Sequence, residues 1–376
     1  MANYTVSAKA IVSHPPKDSN RSWEMQEVKL REPNADELLV RMIATGICHT
    51  DLHFGILPTD YGNYPKVLGH EGAGYVEKAG SNVKGMAPGD PVLLSFASCT
   101  SCRACQLSKP GYCQNFMSLN IGAVRGIFED ISGNFFGQSS FSSMAIVGAS
   151  SVVNVSGLLK DENDLKLFAP LGCGFQTGAG AVTELANANK DDLVAVFGLG
   201  GVGLLAIIAA KTRGCSTIIG VDRFASRLDL AKKLGATHTI DTLGFTNLSE
   251  DLAKAVKENT KGSGTSINID TTGNLNIIRA GLSSLANSGQ LIIIGIPPPG
   301  SELGVNLNEL LQSGKSIRGC IEGNAVPSKY IPQMIQWYRE GKLPINELVK
   351  LYPAQKFDQA ASDMDSGVTV KPVLIW

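Results

Sequence analysis

Two textures of hydrophobic patterning run along the chain. In roughly the first 165 residues, short apolar or alternating runs at 37–43, 73–77, 91–95 and 143–147 are separated by Gly, Pro and Asn clusters. That is the pattern of an irregular, β-rich domain. From about Asp191, strand-length apolar runs alternate with helix-length ones. Strands are predicted at 193–197, 217–222, 238–240, 266–270, 290–296 and 316–321, and helices at 202–213, 226–234, 248–258 and 275–285. Six strands with helical crossovers imply an α/β fold with an open, parallel, doubly wound sheet. The continuous apolar run at 291–294 suits a strand buried on both faces. Residues after 321, with a helix near 331–340, leave that rhythm and are expected to return to the first domain. The expected division is 1–170 with 322–376, and 171–321.

Residues 193–210 carry no charge and reach the lower length limit of a membrane span. Gly198, Gly200, Gly201 and Gly203 punctuate them, so a strand, a tight turn and a buried helix account for the run better. The start, Met1-Ala2-Asn3-Tyr4-Thr5, has no basic region followed by an apolar one, so no leader is expected.

Charge and composition narrow the function classes. Lys and Arg number 33 against 34 Asp and Glu, a net charge of −1, which argues against nucleic acid or an anionic membrane as partner. With 43% hydrophobic and 18% charged residues, the chain is globular and not disordered. Eight Cys in 376 residues are too sparse for a disulfide scaffold. A cytoplasmic location, where thiols stay reduced, is expected. The 41 Gly exceed the usual share of ~7% without a collagen period, and serve turns and close backbone approaches.

Gly198-Leu199-Gly200-Gly201-Val202-Gly203 fits G-x-G-x-x-G between a predicted strand and a predicted helix, with Asp222 ending the next strand 19 residues after Gly203. In such a turn the first Gly makes the bend, the second admits a pyrophosphate and the third packs helix on strand. The helix N-terminus offers unpaired N–H groups to the phosphates. Asp222 can accept from both adenosine ribose hydroxyls and would repel a 2′-phosphate, favouring NAD(H) over NADP(H). Arg223 pulls the other way, since it can cover adenine or meet a phosphate.

Cys99-x2-Cys102-x2-Cys105-x7-Cys113 sets four thiols within 15 residues, the spacing of a closed, structural zinc lobe. The alternatives are four reduced thiols or two disulfides. A more dispersed group comprises Cys48 in Gly46-Ile47-Cys48-His49-Thr50-Asp51-Leu52-His53, His70 and Glu71 in Gly69-His70-Glu71-Gly72, and Cys173 in Leu171-Gly172-Cys173-Gly174. Spacing alone does not join residues 48, 70 and 173, and singly each reads equally as a packed Cys or a structural His.

With these motifs together, the chain resembles the zinc-dependent alcohol dehydrogenases of the medium-chain dehydrogenase/reductase superfamily, nearly end to end. The order and spacing of the 46–53, 69–74, 99–113, 172–178, 198–203, 295–298 and 366–372 segments match. Phe135-Phe136-Gly137-Gln138-Ser139-Ser140-Phe141 and residues 317–323 look like the aryl- or benzyl-alcohol branch. The resemblance implies a GroES-like catalytic domain beside a Rossmann domain. It implies a catalytic zinc on Cys48, His70 and Cys173 and a structural zinc on the four-Cys lobe. Glu71 matches an acid near the metal, and Asp51 the carboxylate that orients the ligand His. Thr50 and His53 match a relay that carries the alcohol proton through the cofactor ribose to solvent. Thr177, Val202, Arg227 and Ile296 match cofactor-side positions, and His49 and Lys371 match basic positions near the pyrophosphate. Phe96, Ile56, Leu57, Phe141 and Ile296 match apolar pocket lining.

The implied activity is interconversion of a primary, hydrophobic alcohol and its aldehyde by zinc-alkoxide hydride transfer to NAD, in a homodimer or homotetramer. The competing readings are a biosynthetic carbonyl reductase of the same family, a zinc-free C=C or quinone reductase, and a non-enzymatic protein that keeps the fold.

Overall fold

Strand-forming residues at alternate positions build the first unit, and two long strands in it escape the sequence pattern. Tyr4–Lys17 and Asn20–Arg31 pair antiparallel and, with Lys66–Val67, form a three-stranded sheet. Their polar alternate positions, and Pro15-Pro16 within the first strand, hide them from the apolar patterning. The computed structural model describes residues 3–18, 20–58, 63–122 and 124–376. Met1 and Ala2, part of the stretch read for a leader, lie outside the described residues.

The chain divides into two units. The first holds Met1–Gly174, Val326–Glu340 and Ile345–Trp376; the second holds Phe175–Ala325 and Gly341–Pro344. The main sheet of the first unit runs in the order Val349–Pro353, Lys371–Ile375, Glu37–Gly46, Gly72–Ala79, Pro91–Leu94 and Val152–Asn154, with Met144–Gly148 also pairing to Glu37–Gly46. The strand Lys371–Ile375 is internal, parallel to one neighbour and antiparallel to the other. Leu30, Leu68, Phe128, Phe141 and Leu374 fill the core below the smaller sheet.

The second unit carries a six-stranded parallel sheet in the order His238–Asp241, Thr217–Asp222, Leu193–Phe197, Thr265–Asp270, Leu285–Ile293 and Ser316–Gly319. In chain order that is 3-2-1-4-5-6, the doubly wound arrangement whose crevice lies at the end of the first strand. The helix Gly201–Thr212 is buried from Gly203 to Ala210, which explains why it carries no charge before Lys211. No helix among the described residues is long and apolar enough to cross a membrane.

Two strand limits differ from expectation. The fifth strand spans Leu285–Ile293, not 290–296, because the Ile294 and Gly295 amides both turn to the Asp270 carbonyl. The sixth ends at Gly319, after which Cys320 N bonds to Ile293 O. The helix expected near 331–340 spans Pro327–Arg339, starting earlier because Pro327 suits the first helical position.

Candidate active site

The first unit brings the dispersed ligands together. The metal-binding atoms of Cys48, His70, Glu71 and Cys173 all lie within 4.8 Å of one another. Asp51 organises them. One of its oxygens accepts the Cys48 amide at 2.9 Å, and the other accepts Gly69 N at 3.0 Å and His70 Nδ1 at 2.9 Å. Against the effect of burial, Asp51 and the Cys48 sulfur hold the imidazole well above its ordinary range; in the neutral ring that a metal requires, the carboxylate keeps the proton on Nδ1 and leaves Nε2 as a lone pair. That Nε2 is buried without a hydrogen-bond partner. A buried orphan lone pair among thiols is costly on its own and fits a bound cation. Two sulfurs and one imidazole nitrogen are the donor set of a zinc centre with an open fourth position. A hydrogen bond from Cys173, with Lys371 nearby, holds the Cys48 thiol well below its ordinary range against the effect of burial, so it can serve as a thiolate.

Behind the sulfurs, Glu71 accepts Gly174 N at 3.0 Å and pairs with Lys371 Nζ at 2.9 and 3.0 Å. Burial pushes the Glu71 carboxyl up to about 7, with Lys371 pulling the other way. A Cβ at Gly46 would stand 2.0 Å from a Glu71 oxygen, so only glycine leaves the carboxylate its seat. Lys371, expected at a pyrophosphate, instead spends its ammonium on Glu71 and on the Ile47 carbonyl at 3.1 Å, 2% exposed, because the internal strand carries it beneath the ligands.

The four-Cys lobe is held by short helical turns at Arg103–Gln106 and Pro110–Tyr112. Its ligand atoms also lie within 4.8 Å of one another, with Cys102 and Cys105 sulfurs 3.5 Å apart. Amides of Cys99 and Cys102 donate to the sulfurs of Cys113 and Cys99. The Ser101 amide leads the effects that draw the Cys99 thiol down to about 6, whereas burial and neighbouring thiols push Cys105 up to about 12. Four crowded thiols suit one dication and leave it no open position.

In the second unit, Gly198 adopts φ +86° at the end of the first strand, and the following helix starts at Gly201. A Cβ on Gly203 would stand 1.8 Å from the Gly198 carbonyl, whereas one on Gly200 would meet nothing within 4 Å. The third glycine therefore serves packing, and the second fronts open space at the helix N-terminus. Asp222 is tied into the same turn. It accepts Leu199 N at 2.7 Å and the amides of Arg223 and Phe224 at 2.7 and 3.0 Å. Arg223 and Arg227 both lie over the Phe224 ring, and Arg227 stands 3.8 Å from Asp222.

Other expected residues scatter by role. Thr50 lies with its hydroxyl 3.8 Å from the Cys48 sulfur, and His53 is exposed one turn along the same short helix, His49–Phe54. His49 is exposed at its start. Ile56 is exposed and Leu57 half-buried, while Ile296 in the second unit is 63% exposed. Phe96 and Phe141, expected to line a pocket, are core residues. Phe96 packs on Phe116, and Phe141 lies edge-on to Trp23. The aromatic rings at the ligand cluster are Phe135 and Phe136, which the sequence reading did not single out as lining. Phe136 stacks on His70 with centroids 4.6 Å apart, and Phe135 meets it edge-on at 5.5 Å. Thr177 is buried with its hydroxyl 3.5 Å from Glu322, whose carboxylate also accepts from Gln176. Glu322 has no role legible in the sequence; its signal was its place in the 317–323 segment that resembles the aryl- or benzyl-alcohol branch.

Comparison with known proteins supplies a family context. Residues 201–340 match the zinc-binding dehydrogenase family, and residues 34–157 the alcohol dehydrogenase GroES-like domain. The chain is 34% identical over 365 residues to geraniol dehydrogenase of Castellaniella defragrans, covering 94% of each chain. Its fold matches benzyl alcohol dehydrogenase from Acinetobacter calcoaceticus with a TM-score of 0.91 and 37% identity, over 99% of both chains. An alcohol dehydrogenase zinc-binding domain protein from Burkholderia ambifaria matches with TM-score 0.91 and 38% identity, over 98% of this chain and 99% of that one.

Proposed function

The chain belongs to the zinc-binding alcohol dehydrogenases of the medium-chain dehydrogenase/reductase superfamily, and from that membership we propose that it interconverts a hydrophobic primary alcohol, aryl or allylic, and its aldehyde with NAD(H). The observation that carries the reading is the orphan Nε2 of His70 beside the sulfurs of Cys48 and Cys173. Cys48, His70 and Cys173 would hold a zinc ion, which would supply a Lewis acid for the substrate oxygen, and bound NAD(H) would supply the hydride exchange.

The chain's own residues do the rest. Cys48, His70 and Cys173 are the proposed ligands, and Asp51 fixes the His70 tautomer. The Thr50 hydroxyl, next to the ligand cluster, would accept the proton of the reacting oxygen as it gives up its own along the relay toward His53. His53, three residues on along the same helical face, hands it to solvent. Phe135 and Phe136 shield the His70 side of the site from water and favour an apolar substrate. The relatives named for geraniol and benzyl alcohol, both apolar primary alcohols, support that class.

Two zincs per chain are proposed, the second in the four-Cys lobe. Asp222 supports NAD over NADP, with Arg223 and Arg227 as the opposing charges. A homo-oligomer, a dimer at least, is proposed through the Ser316–Gly319 strand, which among the described residues ends the sheet order, and through the helix before it, where Leu307 and Leu311 are exposed. A reducing, cytoplasmic setting suits eight cysteines of which none forms a disulfide.

The test is Cys48→Ser. It should bind one zinc where the parent binds two and lose NAD+ reduction with benzyl alcohol, while keeping its far-UV spectrum. Full turnover would overturn the assignment.

A further inference from the structure

The segment after Asn134 is bent against its own preferences. Asn134, Phe136 and Ser139 have φ of 70°, 51° and 51°, and Gly137 between them has 70°. A Phe in the left-handed region is a genuine outlier, kept only where the surroundings over-determine it. Here the surroundings are the ligand His70. The bend delivers Phe136 onto the His70 ring and turns Gln138 inward beneath it.

Gln138 is 1% exposed, and its side-chain amide is fully used. Its Nε2 donates to the carbonyl of His70 and to that of Ser95, both at 3.0 Å. Its Oε1 accepts the amide of Gly72 at 3.1 Å. One amide thus grips both sides of the His70-Glu71 pair and ties it to the chain at Ser95. Ser139 anchors the bend, donating to the Val67 carbonyl at 2.7 Å and accepting the Phe135 amide at 2.9 Å. Asp51 fixes the ring of His70 from its Nδ1 edge, but nothing on Asp51 reaches the carbonyl side of that turn.

We infer that Gln138 is a positioning residue for the metal ligand His70, holding its backbone from behind while Phe136 holds the ring. The inference rests on the reading of Cys48, His70 and Cys173 as zinc ligands. Three buried hydrogen bonds to backbone have no replacement when the amide is lost, and the freed carbonyls pull the ligand turn out of register. Loss of a residue that orients a ligand typically weakens metal affinity ~10–100-fold.

The four-Cys lobe is an internal control in the same molecule. The experiment follows release of both zincs from the full-length holoenzyme to a chromogenic chelator, for the parent and Gln138→Met, which keeps the volume and loses the amide. The expected result is weakening of one zinc by ~10–100-fold and an unchanged second zinc. Cobalt exchanged into the weakened site should give a shifted visible spectrum, reporting altered ligand geometry independently of turnover.

If Gln138→Met does not fold, Gln138→Asn, which keeps an amide with shorter reach, should still weaken the same zinc selectively. Equal weakening of both zincs, or of neither, would overturn the inference. A parent that binds zinc only in the four-Cys lobe would instead overturn the reading of the site itself.

Discussion

Single residues in the first unit show how burial sets chemistry, and Lys66 is the clearest outside the ligand cluster. Its ammonium is 8% exposed, donates to the Phe54 carbonyl at 2.8 Å and lies 4.2 Å from the centre of the Tyr64 ring. Burial lowers it from 10.5 to about 8. Between those values the unfolded chain holds a proton that the folded chain has released, so stability rises with pH across that window. Below it the folded protein bears the cost of a buried charge. Lys66→Met should therefore raise the urea midpoint at pH 7 and flatten the rise between pH 8 and 10. A parent-like pH slope in the variant would refute this. The four-Cys ligands were legible because their spacing is local. Cys48, His70 and Cys173 were legible only through resemblance, since what joins them is the sheet. The pairing of Lys371 with Glu71 was not legible, because a basic residue in sequence does not say whether its strand is internal. Gln138 showed only as one position of the 135–141 motif shared with the aryl- or benzyl-alcohol branch, with nothing in the sequence to tie it to His70.

Elements divide the glycines of the nucleotide turn by duty. Gly203 is a contact between helix and strand, and Gly200 borders open space. Gly200 has φ −74° and ψ −169°, a conformation alanine adopts freely. Gly200→Ala should leave the melting curve alone and weaken NAD binding roughly tenfold, about 1.4 kcal/mol. Gly203→Ala should cost about 1–3 kcal/mol in stability through overpacking, and cofactor binding with it. Calorimetry and fluorescence titration of both variants separate the duties; equal loss of affinity with unchanged stability in both would refute the division. Asp222 couples the two duties, since it also ties Leu199 in the turn, so Asp222→Gly would disturb the loop as well as cofactor choice. The parallel sheet was legible strand by strand because its runs are apolar on both faces. The first hairpin was not, because half of each strand faces water and its polar positions mimic a loop.

At the scale of the whole molecule, the second unit starts at Phe175, ahead of the βα rhythm that the sequence shows only from about Asp191, so the change of texture marks two units without marking their boundary. The assignment of 341–344 to the second unit was not legible, since four residues carry no rhythm. The proposed self-association makes its own prediction. Leu307 and Leu311 are 77% and 81% exposed beside the sheet edge. Leu311→Glu should lower the mass seen by light scattering toward that of a single chain, and an unchanged mass would exclude this edge.

The internal strand Lys371–Ile375 has a consequence for the order in which the protein can be made. Its lysine meets Glu71 across 300 residues of chain. The nucleotide-binding unit, spanning Phe175–Ala325 and closed by a short segment soon after, emerges whole while the main sheet of the first unit still lacks an inner strand. The four-Cys lobe, complete within 15 residues, can take up its ion early in translation. The dispersed ligands must wait, soft and exposed, until almost the entire chain has been synthesised. A nascent polypeptide stalled before residue 371 therefore lacks both the inner strand of the main sheet and the lysine that pairs with Glu71 beside those ligands.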